Sequence, residues 1–434
     1  MLQRQNNKTG ILTALMLCSG IALFSGMSLA TEMTEQQGFT EAASAAGIAA
    51  ALQATMQHNP ALKGKQSVVE AQQYAVDSAK AKRYPTIRAQ ANNVNEQEQA
   101  TITIDQPLWT FGKISTAIDQ AQASVVSQEW ELLEVQRQLI EETAIVYAKI
   151  DGIKLRLQVA QKNVAAHEGY HQRINRRQQG QLSSEADVRL AYARLLQAKT
   201  QRETVKGELS VALTELYTLT QIQVATDQSI ELQLAELPAL AEVERQAAMH
   251  QATVQLKRQA LANVRLDLKA EELAVMPTLS LRVESDLIET VPGADDFRAG
   301  LSLESSLEGA GFVARSRMRG AEARIKAAKF ELDSALNDVR RRVKTLMQNR
   351  KVKQGLVDSQ QMTVDAMQQT QSSFLRQYET GRKSWLEVLN TQREVTSLEM
   401  GLVQAHSEWL SLSLRIAALT GRLDSLAGIN TGSK

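Results

Sequence analysis

The chain repeats itself, and that repeat constrains its fold more than any single motif. His58 and Pro85 recur as His250 and Pro277, both 192 positions on. Ile102, Ile104 and Leu108 recur as Leu301, Leu303 and Leu307, 199 positions on. Gly180 and Ser183 recur as Gly381 and Ser384 at 201, and Leu219-Thr220 recurs as Leu419-Thr420 at 200. An ordered series of this kind means two copies of one structural plan. The offset jumps between Pro85 and Ile102, so one loop is seven residues longer in the second copy. The expected division is a leader over 1–30, a first structural repeat over 31–225 and a second over 226–434.

Prolines punctuate the plan. Pro60 opens a helix reaching about Arg83. Pro85 and Pro277 end helices and begin extended segments, because proline removes a backbone donor and pushes the preceding residue out of the helical region. Pro107 closes an extended segment, Pro238 separates the two copies, and Pro292 sits in a polar turn from Val291 to Asp296. Between these points, Phe111 to about Arg177 and Phe312 to about Tyr378 each read as one helix, on the order of 100 Å long. Ile114, Ile118, Ala121 and Val125, then Leu132, Val135, Leu139 and Val146, recur at threes and fours. Such stripes require partner helices. Returning helices are predicted from about Ser184 to Leu219 and from about Ser384 to Leu419. They complete long helix pairs over about 111–220 and 312–420, with bends at Gly180 and Gly381 and a short tail. Only 4% of residues are aromatic, and Ala, Leu, Gln, Glu, Lys and Arg dominate, a composition that belongs to long coiled helices.

Near the prolines the hydrophobic period changes from 3.6 to 2, which predicts two β-hairpins, about 85–109 and 277–308. Ile87, Ala89 and Ala91 alternate with Thr86, Arg88, Gln90 and Asn92, and Ile102 and Ile104 alternate with Thr101, Thr103 and Asp105. Leu279, Leu281 and Val283 alternate with Ser280, Arg282 and Glu284, and Leu301, Leu303 and Leu307 alternate with Ser302, Glu304 and Ser306. Such strands suit a barrel that is apolar toward lipid and polar toward its lumen. A half-buried soluble sheet would alternate the same way. Two facts favour the barrel: no charge falls on the apolar parity, and Tyr84, Trp109, Phe111 and Phe312 cluster at the strand ends, where an interfacial belt would lie. Core packing is the other reading of those aromatics. Four strands cannot enclose a channel, and an open sheet edge is forbidden in lipid, so the chain must oligomerise. Three copies would supply twelve strands, wide enough for a lumen; the sequence leaves two or four open.

The N-terminal segment sets the compartment. Arg4 and Lys8 precede an apolar run from Ile11 to Leu23, followed by Ser28-Leu29-Ala30 before Thr31, the layout of a secretory signal peptide. The run falls short of the roughly 20 residues a membrane-spanning helix needs. The single cysteine, Cys18, lies inside it, so the processed chain would have no thiol for a disulfide or a metal. Leu15 to Leu17 are not the small residues a lipid-anchor signal needs. No later stretch is long and apolar enough to span a bilayer as a helix. A net charge of +1 points to no nucleic acid or other polyanion as partner.

Several stretches together carry a resemblance: Tyr84-Pro85-Thr86-Ile87, Asp105-Gln106-Pro107-Leu108-Trp109-Thr110-Phe111-Gly112, the turn from Gly180 to Val188, Tyr378 to Leu389, and Leu419-Thr420-Gly421. In this order and in duplicate, they resemble the TolC family of outer-membrane factors over essentially the whole mature chain. The resemblance implies a mainly α fold with a small β part. A long coiled-coil α-barrel in the periplasm would join a transmembrane β-barrel with four strands per protomer. It also implies a homotrimer in the outer membrane of a Gram-negative bacterium, docked by its hairpin tips (Gly180, Ser183, Gly381, Ser384) to a periplasmic adaptor, or membrane fusion, protein and an inner-membrane transporter. Gln181 to Leu190 and Leu307-Glu308-Gly309-Ala310-Gly311 look most like the subgroup serving type I secretion of large adhesins, which would pair it with an inner-membrane ABC exporter. Drug-efflux members share the architecture and work with efflux transporters. Family members close the tunnel tip with acidic side chains and a Tyr/Arg network. Here Glu387 stands where the family has its first aperture Asp, Asn390 takes the place of the second, Lys383 replaces the usual Arg, and Asp187 is the first-half acid, with Tyr378 beside them. Three Glu387 carboxylates around a narrow axis would attract cations. The competing reading of these residues is ordinary capping at a helix hairpin.

No enzyme, cofactor or metal site is expected. His167-Glu168-Gly169-Tyr170-His171 matches the zinc-protease string H-E-x-x-H. It lies mid-helix, however, beside Arg173, Arg176 and Arg177, with no third ligand. Those arginines and Arg340-Arg341-Arg342 read as solvated faces. A periplasmic coiled-coil adaptor or scaffold without a pore is the remaining alternative, although it would need no apolar outer sheet face.

Overall fold

A computed structural model describes residues 47–94, 97–228, 230, 236–287 and 297–429. The expected leader over 1–30 and the expected polar turn around Pro292 lie outside the described residues. The chain runs α1 (Ile48–His58), α2 (Pro60–Ala81), β1 (Thr86–Val94), β2 (Gln97–Trp109), α3 (Lys113–Gln179), α4 (Glu185–Thr220), α5 (Leu240–His250), α6 (Ala252–Ala274), β3 (Thr278–Asp286), β4 (Phe297–Glu304), α7 (Phe312–Glu379) and α8 (Trp385–Leu419). The fold is mainly α with a small β part, and the order helix–helix–hairpin–long helix–return helix occurs twice.

Local chemistry explains the boundaries. Pro60 stands at the first turn of α2, and the Asn59 side chain accepts a bond from Ala61 N at 3.0 Å. Gly112 (φ 91°) and Gly311 (φ 88°) supply the left-handed step from which α3 and α7 start. Pro107 does not close β2. The strand continues to Trp109 through a register shift between Pro107 and Trp109, because a missing donor is tolerated at a bulge. The two long helices hold 67 and 68 residues, and each is continuous.

The strands form one antiparallel sheet in the order β1-β2-β3-β4. Register puts Ile87 beside Ile104, Ile104 beside Val283, and Leu281 beside Leu301, so these share one face. Ile87 and Leu301 are each 69% exposed. Among the described residues, the buried apolar clusters draw on the helices and the segments beside them, and none draws on the strands. One cluster joins α1, α3, α4 and α8 around Leu52, Ile140, Tyr147, Ile150, Leu216 and Leu414. A second joins α5, α6, α7 and α8 around Val243, Val254, Val343 and Ile416. Beside the first cluster, Arg137 Nη2 meets buried Asp424 at 2.8 Å and anchors the tail. A third cluster sits at the far tip of the helix pairs. Among the described residues, no helix is long and apolar enough to cross a membrane.

Candidate functional site: the hairpin tips and the open sheet

The two tips are built alike. At the end of α3, Gln181 adopts φ 62° and Leu182 N donates to Arg177 O at 2.8 Å. At the end of α7, Gly381 adopts φ 73° and Arg382 N donates to Gln377 O at 2.9 Å. The structural equivalent of Gly381 is therefore Gln181, not Gly180, whose φ is −85°. Likewise Ser184, not Ser183, is the partner of Ser384: both serines are N-caps of capping boxes, with Asp187 and Glu387 at the third helical position. The repeat offset at the tips is 200, and Ser183 matches Lys383. Two serines in succession mislead a sequence comparison by one position.

The acids are first of all caps. Asp187 Oδ2 accepts from Ser184 Oγ at 2.7 Å and from Ser184 N at 3.2 Å. Glu387 Oε2 accepts from Ser384 N and Oγ, both at 2.9 Å, while its Oε1 accepts from Lys383 Nζ at 2.7 Å. Those bonds, with Lys383 foremost, hold the Glu387 carboxyl down at about 2. Lys383 Nζ also lies 4.3 Å from the Phe374 ring centroid. Asp187 bonds within its own tip rather than to Glu387. Asn390 is half-buried one turn further along α8. Tyr378 is buried, 5.1 Å between centroids from Trp385, with the Arg177 guanidinium 5.0 Å from its ring centroid. Arg173 reaches Glu379 at 2.7 Å, linking the two long helices beside the turns.

Behind the tips lies an arrangement that sequence reasoning missed. The rings of His167, Tyr170, Trp385 and Tyr378 follow one another at 5.8, 5.7 and 5.1 Å. Tyr170 OH donates to Gln392 Oε1 at 3.0 Å and accepts from Gln371 Nε2 at 3.0 Å. Gln371 also donates to Gln392. Thr396 Oγ1 donates to Asn163 Oδ1 at 2.9 Å. This buried network ties α3, α7 and α8 together. His167 is only 4% exposed, and burial, helped by nearby Arg194, pushes its imidazole down to about 4. His171 instead stacks against Tyr192 at 5.5 Å, so the two histidines of the H-E-x-x-H string serve separate ring contacts.

At the opposite end, Tyr84, Trp109, Phe111 and Phe312 are all exposed where strands meet helices, and Trp109 and Phe111 pack edge to face at 5.9 Å. The sheet face opposite Ile87 and Leu301 is charged. Arg88 meets Asp105 at 3.1 Å, Arg282 meets Asp105 at 2.7 Å and Glu304 at 3.9 Å, and Arg298 meets Asp286 at 3.0 Å. The strand parity showed these charges sharing a face; their pairing needed the register.

Long helix hairpins capped by an incomplete, one-side-apolar sheet define the protomer of an outer-membrane channel-tunnel. The chain belongs to the outer membrane efflux protein family, whose pattern matches residues 51–220 and 230–422. Membership places it in the outer membrane, with its helices forming a periplasmic tunnel. It is 22% identical over 162 residues to BepC, an outer membrane efflux protein of Brucella suis biovar 1 (strain 1330). That alignment covers 36% of this chain, and the chain spans about a third (35%) of that relative. In fold it is similar to CusC (TM-score 0.73, 16% identity, 86% of this chain and 91% of that one), whose crystal structures concern folding and transmembrane channel formation. It is similar also to the outer membrane protein VceC from Vibrio cholerae (TM-score 0.70, 16% identity, 86% of this chain and 96% of that one).

Proposed function

We propose that three copies of this chain form a passive exit duct across the outer membrane, working with a periplasmic adaptor and an energised inner-membrane transporter. The observation that carries the reading is the four-stranded sheet with an exposed apolar face and two edges, β1 and β4, unpaired among the described residues. Lipid accepts the apolar face but no unpaired edge, so neighbouring copies must close it. Tyr84, Trp109, Phe111 and Phe312 are then the belt at the membrane–periplasm boundary. The tips around residues 180–184 and 380–384 are the adaptor-docking end. Three Glu387–Lys383 pairs, with Asn390, Tyr378 and Asp187 near them, line or brace the aperture.

The cargo reading follows the tip sequence, Gln181 to Leu190, toward type I export of large adhesins through an ABC exporter. Small-molecule efflux is the second reading, favoured by the family description and by BepC. A deletion strain separates them: loss of surface adhesin with normal drug tolerance supports the first, and drug sensitivity with normal adhesin the second. Planar-bilayer recording of the purified protein tests the duct itself. A small cation-preferring current is expected, weaker in preference for Glu387→Gln and stronger for Lys383→Gln, which frees the carboxylate. Unchanged preference in both variants would remove Glu387 from the aperture while leaving the channel.

A further inference from the structure

The charged face of the sheet has an order that the single chain leaves incomplete. Near the helix-side end of the strands, the row reads Arg88 on β1, Asp105 on β2, Arg282 on β3 and Glu304 on β4, alternating in sign at every strand. Each neighbour in the row is in contact: 3.1 Å, 2.7 Å and 3.9 Å in turn. The row ends in a cation at one open edge and an anion at the other, and these end side chains are 67% and 76% exposed. The row slants across the sheet: Arg88 is level with Thr103 and Glu284, and Glu304 with Thr278, the kind of stagger that tilted strands need to close a barrel. Arg88 is two residues into β1, and Glu304 is the last residue of β4, so both stand at the end of the sheet where the helices attach.

We infer that a second copy of this chain continues the row, with Glu304 of one protomer pairing with Arg88 of the next, so that the assembled barrel carries a closed ring of alternating charge. The inference rests on the proposed oligomeric duct and adds the device that selects its symmetry. A row with opposite ends joins head to tail indefinitely and closes on itself, the pattern of a cyclic interface. An isologous pairing of two β1 edges would set Arg88 against Arg88, and two β4 edges would set Glu304 against Glu304. Like charges across neighbouring strands are unfavourable, so the same residues that attract the correct edge repel the wrong one. Three inter-strand spacings separate β1 from β4, roughly 14 Å in all, so Arg88 and Glu304 do not touch within one chain.

That separation makes a double-mutant cycle decisive. The variants Arg88→Gln, Glu304→Gln and the double variant are purified from outer membranes, and thermal dissociation of the oligomer is followed on semi-native gels. Each single variant is expected to dissociate several degrees below the parent, and the double variant at the temperature of the weaker single one. Additive losses from an assembled oligomer would overturn the pairing and leave the duct intact. Absence of any oligomer in the parent protein would overturn the duct and the pairing together. A second measurement avoids dependence on small shifts. The leader carries the only cysteine, so Arg88→Cys/Glu304→Cys joined by a short bis-thiol reagent should yield covalent dimers and trimers, with each single-cysteine variant remaining monomeric. Assembled protein that gives no covalent species would contradict the contact.

Discussion

The return helices α4 and α8 are the same element in two copies, 36 and 35 residues long, yet they are buried to different depths. α8 packs against both α3 and α7 and hides Trp385, Val388, Leu389, Trp409, Leu410 and Leu414. α4 packs chiefly against α3 and leaves Tyr192, Leu196, Val211, Leu213 and Tyr217 exposed. Duplication thus supplies one hairpin that completes the protomer and one that keeps an apolar surface. In the proposed trimer that surface has helices of the next copy to meet. The structural copy of a segment need not be its energetic copy.

The comparison can be broken most strongly at one aromatic of each return helix. Trp385→Ala removes a buried ring from the α8 side and should cost about 3–5 kcal/mol in unfolding experiments, whereas Tyr192→Ala on α4 should cost no more than about 0.5 kcal/mol in the monomer and weaken the oligomer instead. Equal costs in the monomer would erase the asymmetry. Next comes the crossing of α3 and α8. A Cβ at Gly152 would lie 2.4 Å from Ser407 Oγ and 2.6 Å from its Cβ, so the helices must separate. Gly152→Ala is expected to cost about 1–3 kcal/mol by overpacking, while Gly207→Ala on α4, where a Cβ meets nothing within 4 Å, should be neutral to stabilising by denaturant melts.

Acid sharpens the contrast at the tips. His167 on α3 has its folded-state value pushed from 6.5 to about 4 by burial and by Arg194 of α4. The unfolded chain therefore binds the proton first as pH falls. The favourable contribution is present above about 6.5 and is lost as pH drops toward 4. His167→Gln should flatten that part of the stability–pH curve; an unchanged slope would show His167 to be solvated. Glu387, lowered from 4.5 to about 2, acts over a more acidic window, with stability present above 4.5 and lost toward 2. The smallest effects concern the turns. Gly381→Ala forces a side chain into the left-handed region at about 1–2 kcal/mol, and Gln181→Gly should relieve strain by about 1 kcal/mol or less, both measurable as local hydrogen exchange.

Much of this architecture is legible in the sequence because its signals are periodic. The two long helices, the return helices and all four strands follow from proline positions and from changes between periods of 3.6 and 2. Errors arise where a backbone conformation departs from residue preference. Gly180 looks like the bend, but Gln181 takes the left-handed angle, and so Ser183 is aligned with Ser384 in place of Ser184. The Tyr170–Gln392–Asn163 network joins residues 222 to 233 positions apart; no local pattern announces it, since polar residues on a helix read as surface. The acids Asp187 and Glu387 are visible as helix-start residues, and their bonding to the caps is what favours a structural share in their role.

The central claim is that each chain contributes four strands to a cylinder that only an assembly completes. Cell fractionation followed by semi-native electrophoresis of the processed protein tests it most directly. A heat-sensitive oligomer of three chains confined to the outer-membrane fraction is the expected result; a stable monomer recovered in the soluble fraction would contradict it.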